Sequence, residues 1–240
     1  MQKCRLGCLV FIFAMVCLQT QAVAQDHVVG IGVQYHGDDG ELDGFERVAV
    51  QAPREEDRTF RSDSALSVSL WYLKPLGKKL RVGGGFRYYG TYSLIDEVPD
   101  DTPEDELPEP QEFGSWMDFY GQFEWATPIL KKQPLELVVG AQMGMILYFP
   151  GGALDEEITR LQDQNVGVWS TPRLGFLFGP QIGVRYRIID MLSVRFDLGM
   201  RYNRVVIFST AEEVDGVAFE KDWALNVLRY DGSLGVEVNF

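Results

Sequence analysis

LGVEVNF, Leu234–Phe240, sets Leu234, Val236, Val238 and Phe240 at every second position, with Gly235, Glu237 and Asn239 between them. Period two is the mark of a β-strand with one apolar and one polar face. Tyr230 lies in the same phase, so the strand starts further back, in LRYDGSLGVEVNF (228–240). Working outward, the same pattern recurs in HVVGIGVQY (27–35), SALSVSLWYL (64–73), LRVGGGFRYYGTY (80–92) and WMDFYGQFEW (116–125). It recurs again in LELVVGAQMGMILY (135–148), RLGFLFGPQIGVRYRI (173–188) and LSVRFDLGMRY (192–202). Eight strands are expected, and only ALDEEITRLQDQ (153–164) carries helical spacing, through Leu154, Ile158 and Leu161. Pro180 falls inside a strand and removes a ladder donor, which predicts a bulge or local break at Gly179-Pro180.

The first residues are of another kind. Lys3 and Arg5 precede the apolar run Leu6–Leu18, and Ala22-Val23-Ala24 is a small-x-small cleavage site. This reads as a cleaved secretory signal over 1–24, leaving a single domain over 25–240. A lipid-attachment reading through Cys17 is disfavoured by the bulk of Val16. All three cysteines, Cys4, Cys8 and Cys17, fall in the removed segment, so disulfides, thiolate catalysis and cysteine-bound zinc are excluded downstream. Removing Lys3 and Arg5 leaves 20 basic residues against 35 acidic ones, which makes nucleic acid an improbable partner. No later run is long and apolar enough for a membrane helix.

Connector lengths alternate. Long segments over 37–63, 94–113, 149–171 and 209–222 alternate with short ones near 74–79, 127–134 and 188–190. An up-and-down meander then gathers four long loops at one end and three short turns at the other. The long loops hold 27 of the 35 acidic residues and 6 basic ones. Lys74, Lys78, Lys79, Lys131 and Lys132 sit in the short turns. One end is an acidic cap and the other a basic base.

Alternation alone does not separate a soluble sandwich from a membrane barrel. Three features point to a barrel. Runs of 9 to 16 residues exceed the roughly 5–6 usual in soluble sheets and suit tilted membrane strands. The polar face combines glycines with Arg81, Arg87, Arg173, Arg185, Arg187, Arg195, Arg201 and Arg229, and with Asp118, Glu124, Glu136, Asp197, Asp231 and Glu237. Eight arginines and six carboxylates suit a confined, mutually paired lumen, where glycine leaves room and arginine pairs bidentately. Tyr35, Tyr72, Tyr88, Tyr92, Trp125, Tyr186 and Tyr202 fall toward the ends of the apolar face, as interfacial girdles do.

The expected fold is therefore all-β, an eight-stranded antiparallel up-and-down transmembrane β-barrel with four long outer loops and three short periplasmic turns. With its closing LGVEVNF, the sequence resembles the small eight-stranded outer-membrane barrels of Gram-negative bacteria, of the OmpA and OmpX type. The resemblance covers 26–240 and rests on architecture plus that ending. It implies that Tyr230, Leu234, Val236, Val238 and Phe240 are read by the barrel-assembly machinery, with periplasmic chaperones in transit. It also implies outer-membrane lipid and lipopolysaccharide as surroundings. No soluble domain follows the barrel, so peptidoglycan anchoring is not implied.

Chemistry finds little support. Past residue 24 the histidines are His27 and His36, and a Ser-His-Asp set through His36 with Ser93 or Ser209 has no singled-out spacing. A protease reading through rim carboxylates fails on their abundance, since solvated loop acids are the default. Asp39, Glu41 and Asp43 before Gly44 make half of a calcium loop, with Val50 where a glutamate belongs. The acidic, proline-broken run Asp96–Glu112 attracts divalent cations weakly at most. No cofactor and no catalytic residue is expected. The leading expectation is a non-enzymatic barrel plugged by its own ion pairs and working through its acidic loops. The alternative is a narrow channel of the OmpW type for small anionic solutes.

Overall fold

The computed structural model describes residues 27–49, 51–55, 57–62, 65–98, 108–130, 134–169 and 172–240. The expected signal segment 1–24 and most of the acidic run 96–112 lie outside these residues. The strands are β1 (Val28–Val48), β2 (Arg54–Glu55), β3 (Arg58–Ser62), β4 (Ala65–Pro75), β5 (Leu80–Asp96), β6 (Gln111–Pro128) and β7 (Leu135–Pro150). Helix α1 (Ala153–Asp163) follows, then β8 (Arg173–Ile189), β9 (Leu192–Val214) and β10 (Val217–Asn239). Each long strand pairs antiparallel with its sequence neighbours, and β10 closes the ring on β1 from Val28↔Asn239 to Val48↔Phe219. Backbone bonds between His27 and Phe240, 3.0 and 2.9 Å, carry the seam one residue further.

Two of the expected loops are mostly sheet. Segment 209–222 is the top of a continuous β9–β10 hairpin, turning at Asp215 (φ 51°) and Gly216 (φ 79°). Two left-handed residues match the right-handed twist of the flanking strands, and Asp-Gly between Val214 and Val217 is the sequence cue for such a turn. In 37–63, β1 runs on to Val48, β2 pairs with it, and β3 continues the position of β4 between β1 and β5. The helix stands where its spacing predicts.

The outward rows are apolar and exposed: Ile31, Val33 and Tyr35 on β1, Leu66 to Tyr72 on β4, Met143 and Met145 on β7, Phe176 and Phe178 on β8, Leu234 and Val236 on β10. A closed barrel whose outer wall is a continuous apolar belt is built to be surrounded by lipid. On β1 the row turns acidic at Asp39. On β10 the strand then runs 11 residues more, from Leu228 to Val217, or roughly 35 Å at about 3.3 Å per residue. The long-loop end is thus a sheet standing clear of the belt.

Four bulges interrupt the ladders of the described residues; one, an extra residue in β8 at Ile188, lies at the short-turn end, and the other three lie at the long-loop end. One extra residue occurs in β5 at Gly90 (φ 69°), one in β6 at Phe113, and one in β9 at Ile207. Each swaps which face the following residues take. Tyr92, expected in the outer girdle, is therefore turned inward and fully buried beside Tyr89. At Pro180 the β8–β9 ladder omits Gly179 and Pro180 but resumes in the same register, while β7 pairs straight through. The missing N–H breaks the ladder without making a bulge.

Candidate functional site

The candidate site is the barrel interior, and it has two halves. In the short-turn half, Glu124 on β6 is the hub. It accepts from Arg185 Nη2 (2.7 Å), Arg195 Nη1 (2.6 Å) and Arg81 Nη1 (3.4 Å). Glu237 on β10 accepts from Arg185, from Arg195 Nη1 (3.2 Å) and from Trp71 Nε1 (3.0 Å). Arg195 Nε donates to Asp197 (2.6 Å), and Glu136 lies 3.3 Å from Arg185 and 3.7 Å from Arg187 near the opening. Cross-strand registry places these groups: Arg81↔Glu124, Glu124↔Gly140 and Glu136↔Arg185 put charges and glycines into facing rows.

Glycine has a different job from the one expected. A Cβ on Gly30, Gly32 or Gly235 would meet the Trp71 indole at 2.1, 3.1 and 2.4 Å. These glycines accommodate a tryptophan, and Gly183 and Gly199 leave space for the carboxylates of Asp197 and Asp231. Between the halves lies a belt of amides, in which Gln142 donates to Gln122 (3.0 Å) and Gln181 (2.8 Å). The gap beside it, also lined by Gln34 and Ser233, measures ≈ 20 Å³, about one water.

Above this belt the charges sit among aromatic rings. Arg87 donates to Asp118 (2.9 Å) and to Gln142 (3.0 Å), and Asp118 also accepts from Tyr89 (2.8 Å) and Trp116 (2.7 Å). Arg201 pairs with Asp231 at 2.9 Å. Arg229 grips Asp38 through Nε (2.7 Å) and its second nitrogen, with its guanidinium 4.1 Å from the Tyr89 ring and 4.7 Å from Trp116. Higher still the interior is an apolar core of Phe60, Phe113, Tyr148, Leu177, Phe208 and Phe219, roofed by Leu154, Ile158 and Leu161 of α1. The helix is tied to the sheet by Lys221, whose buried ammonium pairs with Glu46 (2.7 Å) and Glu157 and lies 3.8 Å from the Trp223 ring.

Thirteen of the fourteen expected lumen charges join these contacts on the inner wall or at its lower opening, with Arg187 and Glu136 at the rim. Asp197 and Asp231 pair as described. Arg173 departs from the set: its guanidinium lies near the mouth, donating to the Trp169 carbonyl (2.5 Å) beside Phe208, because β8 begins there. The outward row of Tyr230, Leu234 and Val236 belongs to the lipid belt. His36, expected as a loop-edge residue, is buried in the lumen 3.4 Å from Asp38 and edge-on to Tyr89. Asp39, Glu41 and Asp43 alternate along an extended strand, each on the outer wall, and cannot converge as a calcium loop does. Among the described residues no cluster of three His, Asp or Glu side chains is placed to hold a metal.

Sequence reasoning missed Asp38, Trp71, Trp116 and Lys221. The available cue was aromatic residues in the polar phase, namely Trp71, Tyr89, Trp116, Tyr120 and Tyr148.

No protein-family model and no curated protein matches this sequence. Among solved structures, Neisserial surface protein A is 16% identical, covering 88% of this chain and 97% of that one at a TM-score of 0.39. The outer membrane protein OprG of Pseudomonas aeruginosa is 9% identical, covering 90% and 96%, at 0.49. The outer membrane protease OmpT of Escherichia coli is 8% identical, covering 92% and 99%, at 0.41. In fold, this chain is one of the small eight-stranded antiparallel β-barrels with an apolar outer belt, the architecture of outer-membrane barrel proteins.

Proposed function

We propose that the protein is an integral outer-membrane barrel that neither conducts nor catalyses, and that its work is done by the acidic sheet and helix standing above the belt. The carrying observation is the filling of the lumen. From Glu237 upward the interior is occupied by paired charges, then amides, then caged arginines, then aromatic side chains and α1. The gap beside the amides is ≈ 20 Å³, too small for a hydrated ion. Burial of His36 edge-on to Tyr89 and beside Asp38 supports a non-enzymatic role. The protruding part presents Asp39, Glu41, Asp43, Asp222 and Glu213 outward, a surface suited to a cationic or cation-bridged partner.

The test is the refolded protein in a planar bilayer. Baseline current without steady steps is expected. Large steady steps would overturn the plugged reading. Saturable anion current lost in Arg195→Gln would instead favour a narrow anion channel.

A further inference from the structure

At the short-turn end, the outer wall of β4, β5 and β6 carries a second kind of patch. The outward row of β4 reads Leu66, Val68, Leu70, Tyr72, Lys74, so an apolar row ends in an aromatic residue and then a lysine. The β4–β5 turn adds Lys78 and Lys79, and Lys79 Nζ lies 5.4 Å from the ring of Trp125, itself on the outer wall of β6. These lysines therefore stand on the lipid side and not in the lumen. Beside them Leu76 is 60% exposed in the turn itself, past the end of the ladder. An apolar turn side chain next to three ammonium groups is poorly placed in open water and well placed at a headgroup layer. At this end the carboxyl side chains of Glu136 and Asp190 belong to the lumen rim and to the β8–β9 turn. Among the described residues none of these three lysines has a carboxylate partner, although the chain as a whole carries a net charge of −13.

We infer that Lys74, Lys78 and Lys79, with Tyr72, Leu76 and Trp125, form a binding site for the headgroup of an anionic phospholipid in the periplasmic leaflet. This rests on the outer-membrane reading above. The acyl chains lie along the belt above Tyr72 and Trp125, and the phosphate meets the three lysines. Charge complementarity selects the lipid: a zwitterionic headgroup brings its own cation into the same cluster, whereas phosphatidylglycerol does not.

The experiment refolds the protein into vesicles of phosphatidylcholine alone and of phosphatidylcholine with phosphatidylglycerol, then counts retained lipids by native mass spectrometry after detergent extraction. Wild type should retain phosphatidylglycerol preferentially, by about fivefold for each lysine engaged, and less at high salt. The variant K74Q/K78Q/K79Q should insert as wild type does but lose the preference, while the arginine triple variant should insert and keep it. Equal retention of the two lipids by wild type, or a preference that survives in the glutamine variant, would overturn the site. Failure to insert into either vesicle would overturn the bilayer reading and this inference together.

Discussion

The two halves of the interior are filled by opposite means, although the same eight strands line both. Below the glutamine belt, carboxylates are shared among several arginines, with Glu124 held by three. Above it each acid has its own cage, and rings cover what the charges leave bare. The difference follows from where the backbone is regular. Below the belt the ladders are regular but for Ile188 beside the last turn, so they keep the polar phase inward and deliver charges and glycines in rows. The bulges at Gly90, Phe113 and Ile207 reset the phase and deliver Tyr92, Phe113 and Phe208 to the inside. A barrel can thus end its charged plug and begin an apolar roof without changing its strand count.

The largest expected effect breaks the lower half. Glu124→Ala strands Arg185, Arg195 and Arg81 in a buried site and should cost about 3–5 kcal/mol, read from urea unfolding followed by circular dichroism. Pairing it with Arg195→Ala should cost less than the sum of the two, because the second change removes one of the stranded charges.

In the upper half, Trp116→Ala opens a cavity and should cost about 3–4 kcal/mol by the same assay. Little salt dependence is expected, which separates packing from charge.

A smaller effect tests the role of glycine. Gly30→Val drives a side chain into Trp71 and should cost about 1–3 kcal/mol, with a change in tryptophan fluorescence. An unchanged spectrum would show that Trp71 yields freely.

The smallest concerns the roof. Partial burial raises the Glu157 carboxyl, but hydrogen bonds from Arg160 and Lys221 and their charges outweigh it and hold the group below its ordinary value of 4.5. A carboxyl depressed in the folded state contributes fully above that value, and the contribution fades as pH falls through the lowered one. Protection of the α1 amides, taken relative to the intrinsic exchange rate at each pH, should therefore fall in acid below about pH 4.5 in wild type and stay nearly constant there in Glu157→Gln.

Period two in LGVEVNF and its seven counterparts was enough to give strand number, antiparallel order, the outward apolar rows and the identity of most lumen charges. Leu154, Ile158 and Leu161 likewise announced α1. These features were legible because each depends on spacing within one segment, and the belt enforces that spacing: a slip of one residue would expose charge to lipid.

Partnership was not legible in the same way. Nothing local distinguishes Asp118, which serves Arg87, Tyr89 and Trp116, from Glu124, which serves three arginines across the lumen. Asp38 and Lys221 looked like two more loop charges, yet ring closure brings Asp38 to Arg229 and Lys221 to Glu46 and Glu157.

By itself the sequence determined a barrel of eight strands with its apolar face turned out and its charges turned in. Only the tertiary structure decided that Tyr92 faces inward, that Trp71 fills the space above three glycines, and that the upper interior is a roofed apolar core. The physical reason is that one inserted residue inverts every side chain beyond it, while closure of the ring joins residues 191 positions apart.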